Sequence, residues 1–419
     1  MILSQQLKNF SIYTDKKLLT LFLLGFAAGL PLLLTAGTLF LWLKEVEVDI
    51  KTIGLFALVG LSYNLKFLWA PLMDNLKIPF LTDYLGRRRS WILLTQIFLI
   101  LSLIFLGYSN PSVDPKLTAL AAVLVAFFSA SQDIVIDAFR VESLEKKLYG
   151  AGAAMYVNGY RIGMLSAGAG ALYLASFYEW HVVYIIMSLQ ILIGIFTILL
   201  SKEPEQSSLI NMQEKKKPLQ WFKYSVINPF RDFIKRGNWI IILFFVVLYK
   251  FGDALVSAMS MPFYDDMGFS KIQIANISKI FGLVAIFLGA FVGGVLVKQL
   301  GIFKSLLIGG ILQMLSNLFY AIQAYLGNDI GFLIVTIGFM NIASGMGTAA
   351  FVAYLSSLCN IRYTATQYAL LSSLDSLGRT LLSAPSGYIV AAIGWIYFFI
   401  FTSIAAIPGI YLLIILKKK

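Results

Sequence analysis

Asp133, Asp137 and Arg140 fall in the run Ser129-Ala-Ser-Gln-Asp-Ile-Val-Ile-Asp-Ala-Phe-Arg140, continuous with an apolar stretch that begins near Leu117. Spacings of four and three put all three on one helical face. An ionisable side chain at membrane depth costs about 2.5–3.5 kcal/mol even on the lenient insertion scale, so a chain that keeps such a cluster uses it. Further charges interrupt other apolar runs: Lys66, Arg161, Lys250, Asp253, Lys279, Asp375 and Arg379. With the first three this makes four acids and six bases, and a surplus of two positive charges favours an anionic ligand. Two assignments stay open. Lys250 with Asp253, and Asp375 with Arg379, either neutralise each other within a helix or face a ligand. Asp133 lies about two turns deeper than Arg140. There desolvation and a nearby cation pull a carboxylate's proton affinity in opposite senses, the tension a proton-coupled carrier exploits. Asp137 shares that helical face and is counted with Asp133 as a proton site; Arg140, at the helix end, serves a gate or contacts lipid phosphates.

The elements that must position these charges are membrane helices. Of 419 residues 59% are hydrophobic and 13% charged, which excludes an ordinary soluble domain, where about a quarter would be charged. At about 20 apolar residues per crossing there are twelve candidate spans, roughly 18–43, 50–72, 90–108, 117–140, 150–174, 181–200, 238–262, 271–298, 303–325, 330–355, 363–390 and 393–416. The net charge of +12 is concentrated in short loops and reads as a topology signal rather than as a nucleic-acid surface. Lys16, Lys17, Arg87–Arg89, Lys146, Lys147, Lys298, Lys304, Arg362 and Lys417–Lys419 share one side, which places both termini in the cytoplasm.

The segment 201–237 carries eight Lys/Arg against four Asp/Glu and divides the spans six and six, as a linker between residues 1–200 and 238–419. Its Trp221, Phe222, Phe230 and Phe233 suit an amphipathic piece on the inner membrane surface. An internal repeat agrees with this division: an offset of 215 positions maps Gly86 onto Gly301, Ala138 onto Ala353 and Gly163 onto Gly378. The expected fold is all-α, with twelve transmembrane helices in two pseudo-symmetric halves and a ligand site between them at the midplane, the architecture of the major facilitator transporters.

Asp83-x-x-Gly86-Arg87-Arg88-Arg89 resembles the second half of that superfamily's loop signature, with Pro79 where the signature has glycine. A turn at the glycine, an acid and three arginines can latch neighbouring helix ends, so Asp83, Arg87, Arg88 and Arg89 are gating candidates. Gly25-x-x-x-Gly29 and Gly289-x-x-x-Gly293 are patterns for close helix packing. No phosphate-binding Gly-x-x-x-x-Gly-Lys-Ser/Thr loop occurs, and the single histidine excludes a two-histidine metal or haem centre. The expectation is therefore a non-enzyme with no metal or cofactor, driven by an ion gradient.

Gly25-Phe-Ala-Ala-Gly-Leu-Pro-Leu32, Leu65-Lys-Phe-Leu-Trp-Ala-Pro-Leu-Met-Asp74, Gly86-Arg-Arg-Arg-Ser-Trp91, Ser129 to Asp137, Gly150-Ala-Gly-Ala-Ala154, Tyr160-Arg-Ile-Gly-Met-Leu165, Tyr249-Lys-Phe-Gly-Asp253 and Lys279 with Gly282 together resemble the AmpG-like anhydromuropeptide permeases. The resemblance implies proton-coupled uptake of N-acetylglucosaminyl-1,6-anhydro-N-acetylmuramyl peptides across the bacterial inner membrane for peptidoglycan recycling, and it implies roles in transport for Asp133 and Lys279. The expected partner is a small anionic sugar-peptide, with the lipid bilayer around a monomer and no nucleic acid. Surplus cations (Arg161, Lys250, Lys279, Arg379, with Asp253 and Asp375 beside them) suit its carboxylates, and Trp42, Trp69, Tyr156, Tyr160 and Tyr249 offer faces to the sugars. Acetyl-CoA carriers resemble the same fourth-span region, which keeps an anionic nucleotide-type metabolite as the alternative; a muropeptide sensor that moves nothing is the alternative from another class.

Overall fold

The computed structural model describes residues 11–205 and 226–418. Trp221 and Phe222 of the expected amphipathic piece lie outside these residues, and so do the side chain of Lys279 and most of the linker; Phe230 and Phe233 stand in a short helix, Asn228–Ile234.

Among the described residues nine helical stretches are long and apolar enough to cross a membrane unaided. They correspond to spans 1, 3, 4, 6, 7, 8, 9, 10 and 12 of the sequence reading. The remaining three are broken or too polar to qualify. Span 2 is a chain of short pieces from Ile50–Phe56 to Ala70–Asn75. Span 5 is Tyr149–Leu165 followed by a wide π turn, Ser166–Gly170, and one more α turn, Ala171–Ala175. Span 11, Thr364–Ser383, carries Asp375, Arg379 and four serines. Local chemistry starts the regular spans. Asp114 accepts from the amides of Lys116 and Leu117 ahead of Pro115 in span 4 (Pro115–Ser143), and Asp329 accepts from Phe332 N at the start of span 10 (Ile330–Ser357).

Three chain reversals use one backbone conformation. Gly86 (φ 86°, ψ 173°) starts span 3 (Arg87–Tyr108), Gly301 (φ 81°, ψ 168°) starts span 9 (Ile302–Leu326), and Gly394 (φ 74°, ψ 170°) turns the chain into span 12. A side chain is strained there, which is why glycine holds each place. Gly86 and Gly301 are repeat mates at an offset of 215, and the geometry extends that repeat. Gly163 packs span 5 on span 1 (Lys16–Leu34, then Gly37–Glu45), and Gly378 packs span 11 on span 7 (Trp239–Leu248, then Phe251–Asp266). Trp180 and Trp395, at the same offset, each donate an indole N–H to a carboxylate at the end of span 1 or span 7. Trp180 Nε1 lies 2.8 Å from Glu45 and Trp395 Nε1 lies 2.9 Å from Asp266.

Spans 1 and 5 meet backbone to backbone. A Cβ at Gly25, Gly29, Gly159 or Gly163 would run into the main-chain oxygen of Tyr156, Tyr160, Phe22 or Phe26 respectively. This reciprocal small-residue seam fixes the register of span 5 and therefore the depth of Tyr156, Tyr160 and Arg161. Hydrogen bonds between the halves, among the described residues, lie from mid-depth to the face that carries Arg87–Arg89, hereafter the arginine face. Tyr13 donates to Phe291 O, Asn158 to Phe287 O, Arg140 to Ser356, and Ala365 N and Thr366 to Asp74. The bundle is pinned at one end.

Gly29→Ala is expected to destabilise the bundle by about 1–3 kcal/mol through the clash with Tyr160 O. Gly37→Ala, with no atom within 4 Å of the added carbon, should melt at or slightly above the parent temperature. Thermal denaturation of the two purified variants side by side checks both.

Candidate functional site

The charges expected from the sequence separate into three groups, each fixed by the helices that carry it. The first lies on the arginine face. Arg88 is fully buried and donates to Glu142 at 2.6 Å, to Asp74 at 2.7 Å and to Met73 O at 3.1 Å. Arg87 donates to Asp74 O at 2.7 Å and to Glu142 at 3.4 Å. Arg89 turns away to the end of span 6 (Trp180–Gln190, then Leu192–Leu200), donating to Ile198 O and Leu199 O. Glu203, just past that end, accepts from the amides of Arg88 and Arg89 at 2.9 and 3.1 Å. Spans 3 and 6 thus cap each other, a carboxylate on the positive end of one and a guanidinium on the negative end of the other.

Asp74 joins this network to the other half. Its carboxylate accepts from Ala365 N (3.2 Å), Thr366 N (2.8 Å) and Thr366 Oγ1 (2.7 Å) while it pairs with Arg88. It therefore sits on the N-terminus of span 11, where the free amides and the helix dipole favour an anion. Gln367, in the same helix start, is held from the far side by Asp232 and by Pro229 O of the short helix. The sequence reading gave the acid of this cluster as Asp83. That assignment is corrected: Asp83 is exposed on the short helix Leu81–Leu85, and the acids that meet the arginines are Asp74 and Glu142. The turn at Gly86 points the arginines back along span 3 towards span 4 and the end of span 2, leaving Asp83 on the outside of the loop. Asp74 stood in the Leu65–Asp74 run, and an acid closing an apolar helix was its only signal.

The second group lies deeper, in spans 2 and 4. Arg140 pairs with Asp137 at 3.0 Å, donates to Ser356 at 2.9 Å, and lies over the rings of Tyr156 and Tyr368, 5.4 and 5.0 Å from their centroids. Lys66 approaches Asp137 from the other side at 4.0 Å. Asp137 thus lies between two cations. Asp133, one turn deeper, is buried, and its Oδ1 meets no hydrogen-bond donor among the described residues. Tyr63 of span 2 lies within electrostatic reach of it, with Ser129 and Thr35 beside the tyrosine hydroxyl. Trp69 donates to Ser131 at 3.0 Å and leaves one ring face against Phe127.

The third group crosses the middle of the bundle. Lys250 is within electrostatic reach of Asp253, Arg379 and Asp375 in its own half and of Arg161 in the other. Asp375 and Arg379 form the i,i+4 pair at 3.3 Å, with the Arg379 side chain 48% exposed. Lys250 and Asp253 form no ion pair, because span 7 breaks between Leu248 and Phe251 and the lysine stands ahead of the new helix. Lys250 Nζ instead donates to Thr348 Oγ1 at 2.5 Å, and Arg161 keeps a buried nitrogen without a partner among the described residues. Tyr160 is half-buried with a ring 6.2 Å from that of Tyr156. Two aromatic assignments are corrected. Tyr249 packs inside its own half, stacked on Phe351 at 5.3 Å with its hydroxyl on Leu306 O, since the break in span 7 turns it towards spans 9 and 10. Trp42 is stacked on Trp180 at 5.8 Å, away from the central charges. Lys279 stands in a π segment, Ala275–Phe281, at the start of span 8.

Comparison with known proteins agrees with this architecture. The sequence pattern of the Major Facilitator Superfamily matches residues 19–338 and again 247–419. The chain is 41% identical over 409 residues to the anhydromuropeptide permease of Escherichia coli (strain K12), covering 97% of this chain and 81% of that one. It is 39% identical over 410 residues to the putative transporter AmpG 4 of Rickettsia felis, covering 97% and 98%. Among solved structures, the proton:xylose symporter XylE superposes with a TM-score of 0.71 at 12% identity, covering 97% of this chain and 96% of that one. The E. coli fucose:proton symporter FucP gives 0.71 at 13%, covering 95% and 97%. At those identities the likeness is one of fold. Twelve helices in two similar halves, pinned at one end by arginines and carrying unpaired charge at mid-depth, make this chain a multi-pass membrane protein of the Major Facilitator Superfamily, in its AmpG-like group.

Proposed function

We propose that the protein carries anhydromuropeptides, N-acetylglucosaminyl-1,6-anhydro-N-acetylmuramic acid and its peptides, together with protons across the bacterial inner membrane into the cytoplasm. The observation that carries this reading is the 41% identity over 97% of the chain to a permease named for that substrate. The residues support it in kind. A ligand with sugar rings and carboxylates meets Tyr160 and Trp69 on one side and Arg161 and Lys250 on the other. It needs no cofactor or catalytic group, and the chain acts as a carrier rather than an enzyme.

The arginine face is the cytoplasmic one in this reading, because the short loops there hold the excess of lysine and arginine. The conformation is then closed to the cytoplasm by Asp74, Arg88 and the start of span 11. Transport proceeds by rocking of residues 1–200 against 238–419 about the central site. Asp133 takes the proton: among the described residues it is the membrane-depth carboxylate of the first half without a cation in contact, so its charge state is free to change with the swing, whereas Asp137 pairs with Arg140 at 3.0 Å and is approached by Lys66 at 4.0 Å. One proton moving with the substrate down one pH unit sustains about a tenfold accumulation.

Asp133→Asn is expected to abolish accumulation of radiolabelled anhydro-disaccharide under an imposed pH gradient in proteoliposomes, yet to retain exchange between loaded sides. Accumulation at the parent level would remove Asp133 from coupling, and competition by acetyl-CoA but not by the disaccharide would overturn the substrate. Asp74→Asn should open the cytoplasmic face, read as faster labelling of a cysteine placed at Ser143 by an impermeant maleimide in inside-out vesicles. Asp83→Asn should label at the parent rate, and equal rates for the two variants would contradict the role given to Asp74.

A further inference from the structure

On the arginine face the halves meet along two seams, span 2 on span 11 and span 5 on span 8, and the offset of 215 relates one seam to the other. The first is closed by Asp74. The position mated to Asp74 is Gly289, which offers no side chain, so the second seam has to close by other means. A Cβ at Gly150 would run into Val297, and one at Gly294 would lie 3.0 Å from Gly150 O, so spans 5 and 8 touch main chain to main chain.

Beside that contact stands a residue from outside the spans. Tyr13, in the turn Ser11–Thr14 ahead of span 1, donates its hydroxyl to Phe291 O of span 8 at 2.7 Å and sets its ring edge-on to that of Phe291 at 4.9 Å. The same ring packs on Ala154, Ala290 and Ala349, one each from spans 5, 8 and 10. A Cβ at Gly294 would meet the hydroxyl. Four small residues from three helices thus leave a notch that the phenol fills. The turn is anchored in the first half, since Asp15 accepts from Lys17 N at 2.8 Å and Lys17 Nζ donates to Ser143 O at 3.1 Å.

The repeat supplies an internal comparison. The offset carries Tyr13 onto Asn228, which opens the short helix ahead of span 7. That helix stays in its own half, where Pro229 O and Asp232 accept from Gln367 Nε2 at 3.1 and 2.9 Å on the start of span 11. The turn ahead of span 1 instead crosses to the other half. Rocking carries Asp15 with one half and Phe291 with the other, so the anchor and the hydroxyl bond cannot both survive opening of this face.

Building on the carrier reading above, we propose that the turn Ser11–Thr14 is a second latch of the arginine face, keyed by Tyr13 into the seam of spans 5 and 8, and that it must let go before that face opens. It works at the other seam from Asp74 and shifts the balance of closed and open forms through helices rather than through the ligand.

The test uses the full chain with its one cysteine removed by Cys359→Ser. In lipid nanodiscs, spin labels at Lys146→Cys and Gln299→Cys, exposed positions ahead of span 5 and at the end of span 8, report the width of the seam. Tyr13→Phe, which keeps the ring and loses one hydrogen bond, should lower the ratio of short to long distances about fivefold. It should do so again in the Asp74→Asn background. In proteoliposomes, a chain with Tyr13→Cys and Phe291→Cys joined by a short bis-methanethiosulfonate should lose uptake of the anhydro-disaccharide and regain it with dithiothreitol, while either single cysteine treated alike keeps its uptake. An unchanged distance distribution in Tyr13→Phe, no further change in the Asp74→Asn background, or undiminished uptake once mass spectrometry shows the turn tied to span 8 would each overturn the proposal. Failure of the parent chain to take up the disaccharide would instead overturn the carrier reading, and the distance measurement would still decide the latch.

Discussion

One carboxylate joins the buried arginine cluster of the first half to a helix start of the second. Asp74 is buried, paired with Arg88 at 2.7 Å, and seated on the free amides that begin span 11. Each of these partners belongs to a different structural constraint. Arg88 is buried with Glu142 and would be a costly bare charge without its two acids. The amides of Ala365 and Thr366 are orphans of a helix start and need an acceptor. A single anion satisfies both on the arginine face, while the hydrogen bonds between the halves, among the described residues, stop at mid-depth. An interaction that serves as both ion pair and helix cap is strong when made and lost as a unit when the halves separate, which is what a gate requires.

The spans that look least like membrane helices also carry charge. Spans 2, 5 and 11 fail the simple test of length and apolarity, and they carry Lys66, Arg161, Asp375 and Arg379. Spans 2 and 5 fall short through broken or short helices, and span 11 through its polar residues. Their helical hydrogen bonding is interrupted in two of the three cases, by the short pieces of span 2 and the π turn of span 5.

Much of the fold was legible in the chain. Twelve spans, the six-and-six division and the offset of 215 follow from apolar run lengths and from glycines whose left-handed conformation admits little else. The site was legible in part. Asp133 stood out because its cost does not depend on neighbours, and Arg140 with Asp137 because their spacing makes them meet. What the sequence concealed depended on tertiary contact. Nothing in residues 74–89 tells which of two acids faces the arginines, since that follows from the direction of the turn at Gly86. Tyr249 was misplaced because a helix break one residue on rotates it into its own half, and the same break separates Lys250 from Asp253, a pairing that the spacing left open. Spacing rules hold within an unbroken helix and fail across a break.

The central claim is that anhydromuropeptide movement and proton movement are one event passing through Asp133. It is tested most directly by adding the disaccharide outside weakly buffered proteoliposomes that hold no gradient, with a pH-sensitive dye sealed inside. The account predicts internal acidification that begins with substrate addition, scales with substrate taken up and vanishes when Asp133 is asparagine. Substrate entry at the same rate with no change of internal pH would contradict it.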